Sequence, residues 1–232
     1  MAKIDYRRHY LLIIDTETAN TFRADDGKLD ISSALVYDCG FAVIDTKGNT
    51  YEKYSFVNAD IWYNYPDVMA TAYYAHKLPL YREGLRNGTR KLATTYTIAK
   101  TVKEVIDRYK IREVIAHNSR FDYNSLNATQ RYITKSAYRY FFPYGIEMWD
   151  SLKMARDVIL EMPTYRKFCE KYNLFTANGR LSATAENLYR FISKNPTYEE
   201  SHTGLEDVEI EKEIVFYCYR QHKKMRKKLF EN

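Results

Sequence analysis

The stretch Leu11-Leu12-Ile13-Ile14-Asp15-Thr16-Glu17 sets the tightest limit on what this chain can become. Four apolar residues entered from Tyr10 read as a strand buried on both faces. That strand runs straight into two carboxylates. Alternate residues of a strand share a face, so Asp15 and Glu17 can point the same way. Paired acids at the end of a buried strand lose hydration and repel each other unless something positive sits beside them. The fold must therefore be one that gathers a positive partner at a strand end.

The rest of the pattern supplies the frame. The polar stretch TANTFRADDGKLDISS reads as a loop, with Asp25, Asp26 and Asp30 as solvated charges. Ala34 to Asp45 reads as a second strand and TKGN as a turn; Tyr51 to Val57 alternates as a third strand, so the two form a hairpin. Asp67 to Arg86 reads as helical and interrupted at Pro79. Ile98, Val102, Val105, Ile106 and Tyr109 share one face of a helix from Thr95 to Tyr109. Glu113 to Ala116 is a short apolar strand closed by HNSRFD, followed by a helix over Tyr123 to Ala137. Gly145 to Trp149 is a further strand, with helices predicted over Ser151 to Leu160, Arg166 to Tyr172 and Ala183 to Ser193, and from Leu205 to about Lys228. Early strands followed by alternating strands and helices predict an α/β fold with a mixed five-stranded sheet flanked by helices. In such sheets, sites collect at strand ends and helix starts. No repeat or linker marks a boundary, so 1–232 reads as a single domain.

Composition removes several classes. No apolar run approaches the roughly 18 residues of a membrane helix, and MAKIDYRRHY carries no apolar leader core, so a cytoplasmic protein without a membrane partner is expected. Cys39, Cys169 and Cys218 are odd in number and far apart, which predicts reduced thiols. The net charge is +6, part of it in the tail QHKKMRKKLFEN, which suits either a solvated helix end or attraction to a polyanion. WYNY and YRYFFPY, from a chain with 23 tyrosines, suit half-buried packing or base stacking.

Three segments carry acids to element ends: Asp15-Thr16-Glu17, then His117-Asn118-Ser119-Arg120-Phe121-Asp122, then His202-Thr203-Gly204-Leu205-Glu206-Asp207. None is informative alone. Composition supplies about one Asp-x-Glu by chance; Asp207-Val208-Glu209 is a second, and His-x4-Asp occurs at both His117 and His202. The information lies in context and order. Asp207 shares a helix side with Ile210 and Ile214, and an acid on an apolar face needs a reason to be there.

In that order the motifs resemble the DEDDh branch of the 3′→5′ exonucleases, which includes the proofreading subunit of bacterial DNA polymerase III, RNase T and oligoribonuclease. WDSLKMAR, Trp149 to Arg156, resembles the family's strand-to-helix segment. The resemblance covers nearly the whole chain and implies a ribonuclease H-like fold. Three features depart from it, the first being the long polar loop after Glu17, which leaves the substrate contacts there open. Gly204 stands where the family usually has alanine, and Tyr165 to Ser193 has no assigned role.

The resemblance implies metal-assisted phosphodiester hydrolysis with two Mg²⁺ ions, for which Mn²⁺ can substitute. Two such ions about 3.5–4 Å apart activate a water and stabilise the leaving 3′-oxygen, and both prefer oxygen ligands. By resemblance, Asp15 bridges both metals, Glu17 and Asp207 hold the one carrying the water, Asp122 binds through water or completes the second metal's shell, and His202 is the general base. His117 is expected to end its strand and orient locally, with Asn118 bonding the loop backbone. Substrate contacts are assigned to Thr16, Thr18, His76, Leu78 and Phe121, and Phe22 is a candidate for base stacking. The implied substrate is a single-stranded 3′ end, with DNA favoured and RNA open. A proofreading role would require a polymerase partner, and a homodimer is a further option carried by relatives. An endonuclease on the same fold, or a non-catalytic nucleic-acid- or polymerase-binding module, is the alternative. A degenerate module should have lost an acid or the histidine, and this chain retains all five.

Overall fold

The computed structural model describes residues 4–20, 22–23, 29–30, 33–72 and 74–230, with backbone alone at 22–23 and 29–30. Phe22, Asp25, Asp26 and Asp30 therefore lie outside the side chains described. The strands are β1 (Tyr10–Ala19), β2 (Phe22–Arg23), β3 (Leu29–Asp30), β4 (Leu35–Asp45), β5 (Thr50–Asn58), β6 (Lys91–Ala93), β7 (Glu113–Ala116) and β8 (Glu147–Asp150). The helices are α1 (Ala59–Asn64), α2 (Pro66–Met69), α3 (Leu78–Asn87), α4 (Thr95–Tyr109), α5 (Arg120–Thr134), α6 (Ser151–Val158), α7 (Pro163–Tyr172), α8 (Ala185–Ser193) and α9 (Gly204–Arg220), with a 3₁₀ turn at Ala75–Lys77.

The main sheet runs β6-β5-β4-β1-β7-β8, and β2 pairs with β3 apart from it. β4 is antiparallel to both β1 and β5, while β1–β7, β5–β6 and β7–β8 are parallel. This is the mixed α/β sheet of the ribonuclease H-like fold. It has six strands rather than five, because Lys91–Ala93 adds to the edge at β5. Three residues with one buried side chain are too short for a period-2 signal.

Parity along β1 organises the layers. Leu12 and Ile14 face a core built with α4 and α5, through Ile98, Val102, Val105 and Leu126. Leu11 and Ile13 face the opposite core, with Met154 of α6, Leu188 of α8, and Val208 and Ile214 of α9. A third cluster joins Tyr37, Val57, Ile61 and Tyr81 beneath α1 to α3.

Two boundaries differ from the sequence reading near the site. β1 does not stop at Ile14: it continues to Ala19, because Asp15–Ala19 pair with Leu35–Gly40 of β4. The acids thus sit within a strand whose polar backbone is satisfied by its neighbour. α9 ends at Arg220, well before Lys228. The tail then returns to the sheet. Lys228 bridges antiparallel to Trp149, the Leu229 N–H donates to the Met148 carbonyl at 2.8 Å, and Arg226 grips Asp157 at 2.7 Å. Much of the basic run is therefore a cover over the β8 edge. Pro79 also reads differently, since it lies in the first turn of α3, where its missing N–H costs nothing.

One close approach positions α9. A Cβ on Gly40 would lie 2.1 Å from the Leu205 nitrogen and 2.2 Å from the Gly204 carbonyl carbon. A Cβ on Gly204 would lie 2.7 Å from the Gly40 nitrogen and 3.1 Å from the Asp15 carbonyl oxygen. Gly40 is the β4 partner of Asp15. Two facing glycines therefore let the first turn of α9 rest on the strand pair at Asp15, which gives the Gly204 departure a steric reason.

Candidate metal centre

Continuing the parity of Leu11 and Ile13, Asp15 and Glu17 face α9. Asp207 stands in the first turn of α9, buried beside Val208 and Ile210. Glu17, His202 and Asp207 bring one ligand atom each to within 4.8 Å of one another. The β1 register slips between Glu17 and Thr18, a bulge of the kind that re-aims side chains beside sites. Asp122 arrives from the other side of the strand, in the first turn of α5, and accepts a hydrogen bond from the Thr16 hydroxyl at 2.8 Å. Thr16 thus holds an acid in place from within the DTE triplet. Asp207 is held by the Thr203 N–H at 2.8 Å and the Ser201 hydroxyl at 3.1 Å.

A further carboxylate, Glu211, was not singled out from the sequence. It lies one turn beyond Asp207 and is buried. Its Oε1 accepts from the His117 N–H at 2.8 Å, while Oε2 is buried with no hydrogen-bond partner. The signal was present: Glu211 falls four residues after Asp207, on the same apolar side as Ile214.

The electrostatics follow from the crowding. Burial pushes the Asp15 carboxyl well above its ordinary range, and Glu211, Asp122, Asp207 and Glu17 add to the shift. Glu211 is pushed up likewise, first by burial and then by Asp122. Burial and Asp207 lift Glu17 to about 9; burial and Glu200 lift Asp207 to about 8. Burial lifts Asp122 to about 7, against the Thr16 hydrogen bond. Among the described residues, no lysine or arginine is ion-paired with any of these five acids. The buried arginine nearby is committed elsewhere: Arg90 lies 3.6 Å from Asp38 and grips Glu206 at 2.8 Å. Asp38, the cross-strand partner of Glu17, also accepts from Tyr81 and from the Gly204 N–H, each at 2.8 Å.

The donor set fits hard divalent cations. It offers several carboxylates without thiolates, and its one orphaned oxygen, Glu211 Oε2, faces a site short of positive charge. Cys39, Cys169 and Cys218 are all free and buried.

The two histidines part company. His117 is half-buried, with Nδ1 2.9 Å from the Ser151 hydroxyl and Nε2 2.9 Å from the Ala183 carbonyl, so both ring nitrogens are occupied. Asn118 adopts φ 63° and donates its N–H to Asp150 Oδ1 at 3.0 Å; the contact runs through its main chain rather than its side chain. His202 has φ 50° and is partly exposed, with Nδ1 3.8 Å from Glu200. Burial, then Lys77, lowers its proton affinity, favouring the neutral imidazole near pH 7. Tyr74 stacks on the His202 ring at 4.2 Å and 9°.

The remaining candidates spread out. Thr18 is buried on β1. His76 is exposed in the 3₁₀ turn, its ring 6.1 Å from Tyr74 and so on the His202 side of the site. Leu78 packs against the cluster under α3. Phe121 is half-buried at the start of α5. In the aromatic runs, Phe141 and Phe142 are core residues, while Tyr138, Tyr140 and Tyr144 are exposed.

No family model matches the chain, and no curated protein matches it. Solved structures do. The zinc-bound complex of E. coli exonuclease I with single-stranded DNA superposes with a TM-score of 0.52 at 16% identity, covering 92% of this chain and 41% of that one. E. coli exonuclease I in complex with a dT13 oligonucleotide gives 0.50 at 16%, with the same coverage. S. pombe Pop2p in its Mg²⁺- and Mn²⁺-bound form gives 0.49 at 12%, covering 93% and 84%. The chain spans about two fifths of the length of exonuclease I. At 16% identity the likeness to exonuclease I establishes the fold alone. No helix among the described residues is long and apolar enough to cross a membrane.

Proposed function

We propose that the chain is a metal-dependent 3′→5′ exonuclease that releases nucleoside 5′-monophosphates from single-stranded nucleic acid, DNA in preference to RNA. One observation carries this reading. Acids from β1, α5 and α9 converge, mostly buried and with no ion-paired lysine or arginine among the described residues, beside a partly exposed histidine held in an uncommon backbone conformation. Asp15, Glu17, Asp122 and Asp207 would hold Mg²⁺ or Mn²⁺, which when bound would neutralise the scissile phosphate and acidify a water. His202, neutral near pH 7, accepts the proton from the attacking water. The water oxygen forms a bond to phosphorus as the P–O3′ bond breaks, and the departing 3′-oxygen takes a proton from solvent water, leaving a shortened chain with a 3′-hydroxyl. Tyr74 fixes the plane of the imidazole, and Thr16 fixes Asp122.

The test is a gel assay on 5′-labelled DNA and RNA oligomers of one sequence, with Mg²⁺, Mn²⁺ or EDTA, for wild type and Asp15→Ala. The expected result is a metal-dependent ladder from the 3′ end that vanishes in the variant. Oligomers bound but uncut under every metal would replace this reading with the non-catalytic module.

A further inference from the structure

Segment Tyr165 to Ser193, unassigned by the motifs, builds one wall of a cleft of about 1060 Å³ whose inner end is Asp15 and Glu211. The wall is rigid. Thr176 and Arg180 pair across a tight turn at 2.8 Å, Phe175 bridges Leu181, and the Ser182 N–H donates to Leu174 at 3.0 Å. Its base is pinned from the core by the Tyr165 hydroxyl on the Ser182 carbonyl at 2.7 Å and by His117 on Ala183. The cleft is lined by Arg156 of α6, Arg166 of α7 and Arg180 of the turn, all exposed, and none is ion-paired among the described residues. Phe175 lies on the same wall and is 40% exposed. Of the lining acids Glu161 is exposed, whereas Asp15 and Glu200 are half-buried and Glu211 is buried. The charge thus changes sign along the cleft, positive at the mouth and negative at the site.

We infer that this cleft is the track for single-stranded nucleic acid leading to the site, with backbone phosphates on Arg156, Arg166 and Arg180 and a base on Phe175. A basic groove with an exposed ring is the chemistry that holds a single strand without reading its sequence. Exposed arginines that serve no internal ion pair are available to phosphates, which they meet bidentately. The inference rests on the exonuclease reading only in placing the strand's 3′ end at Asp15.

The test is fluorescence anisotropy of 5′-fluorescein dT12 with Mg²⁺ on the full chain carrying Asp15→Ala, across a KCl series. Replacing Arg156, Arg166 and Arg180 together by alanine should weaken binding and flatten the log Kobs against log salt slope by about 2, the share of three phosphate contacts on a single strand. The corresponding triple lysine variant should restore the slope, which separates lost charge from lost folding. Phe175→Ala should weaken binding roughly fivefold or more with the slope unchanged. Lys100→Ala with Lys103→Ala, on α4 across the sheet, should leave the slope alone. The inference is overturned if the triple alanine variant keeps the parent slope, if the α4 pair loses as much, or if dT12 does not bind at low salt. If wild type cuts nothing while the slopes behave as expected, the exonuclease reading fails and the track stands. A 3′ ladder with unaltered slopes gives the converse.

Discussion

Gly40→Ala tests whether the contact between β4 and α9 sets the geometry of the site. A new Cβ needs about 3.5 Å to a neighbouring heavy atom. It would find the Leu205 nitrogen at 2.1 Å and the Gly204 carbonyl carbon at 2.2 Å. Both are main-chain atoms, so no rotamer change relieves the clash, and α9 must withdraw by on the order of 1 Å. Overpacking of this kind costs about 3 kcal/mol, which for a chain of this size is a fall in Tm of roughly 6–12 °C. The effect on turnover should be larger. Asp207 and Glu211 ride on α9 while Asp15 and Glu17 stay on β1, and a misplacement of about 1 Å costs on the order of 10²-fold in rate. Gly204→Ala meets its nearest atom at 2.7 Å, needs a smaller shift, and should lose less in both quantities. Thermal unfolding and single-turnover cleavage of both variants provide the assay. Gly40→Ala with wild-type Tm and rate, or a Gly204→Ala variant worse than Gly40→Ala, refutes the reasoning.

Four further outcomes are expected. In EDTA, Tm should fall as pH rises from 5 to 9: with Asp122, Asp207 and Glu17 lifted to about 7, 8 and 9, the native chain holds protons that the unfolded chain has released above about pH 4. Mg²⁺ should remove most of that decline, and a flat EDTA profile would count against the crowded acids. Glu211→Gln should shift the Mg²⁺ dependence of cleavage by about tenfold or more while raising Tm in EDTA; an unchanged metal titration would place Glu211 outside the site. His117→Ala should cost about 2 kcal/mol or more in urea unfolding, because it strands the Ala183 carbonyl, whereas His202→Ala should abolish turnover at unchanged stability; the reverse pattern would exchange their roles. Tyr74→Ala should lower kcat more than it raises KM and shift the acid limb of the pH–rate profile, and equal kcat would leave the stack without a catalytic role.

Legibility from sequence followed the strength of the local signal. The face shared by Asp15 and Glu17 was readable because strand parity needs only two residues of separation, and helix α4 was readable from five apolar residues at helical spacing. The extent of β1 was not, because Thr16 to Ala19 become strand through pairing with β4, a partner distant in sequence. Asp38 escaped notice for the same reason. Its burial is compensated by Arg90, Tyr81 and the α9 N–H, which no local window contains. Glu211 was legible in principle from its place four residues beyond Asp207, but it lies outside the His-x4-Asp motif. The tail was read as a solvated helix end or an anion lure. Of its cations Arg226 and Lys228 answer to Asp157 and Glu147, acids far back in the chain.

That tail also gives β8 a kinetic history. β8 pairs with β7 on one side and on the other is closed, among the described residues, by those around Lys228. Every other strand of the sheet precedes this closing segment in the chain. As the polypeptide emerges, β7 and β8 can assemble with their hydrogen-bonding groups open until the final helix has passed and the chain has turned back. The last pairing to form therefore spans a long loop, so it is slow to close and rewarded late. The interval before closure is when an exposed strand from a second molecule would compete for the same edge.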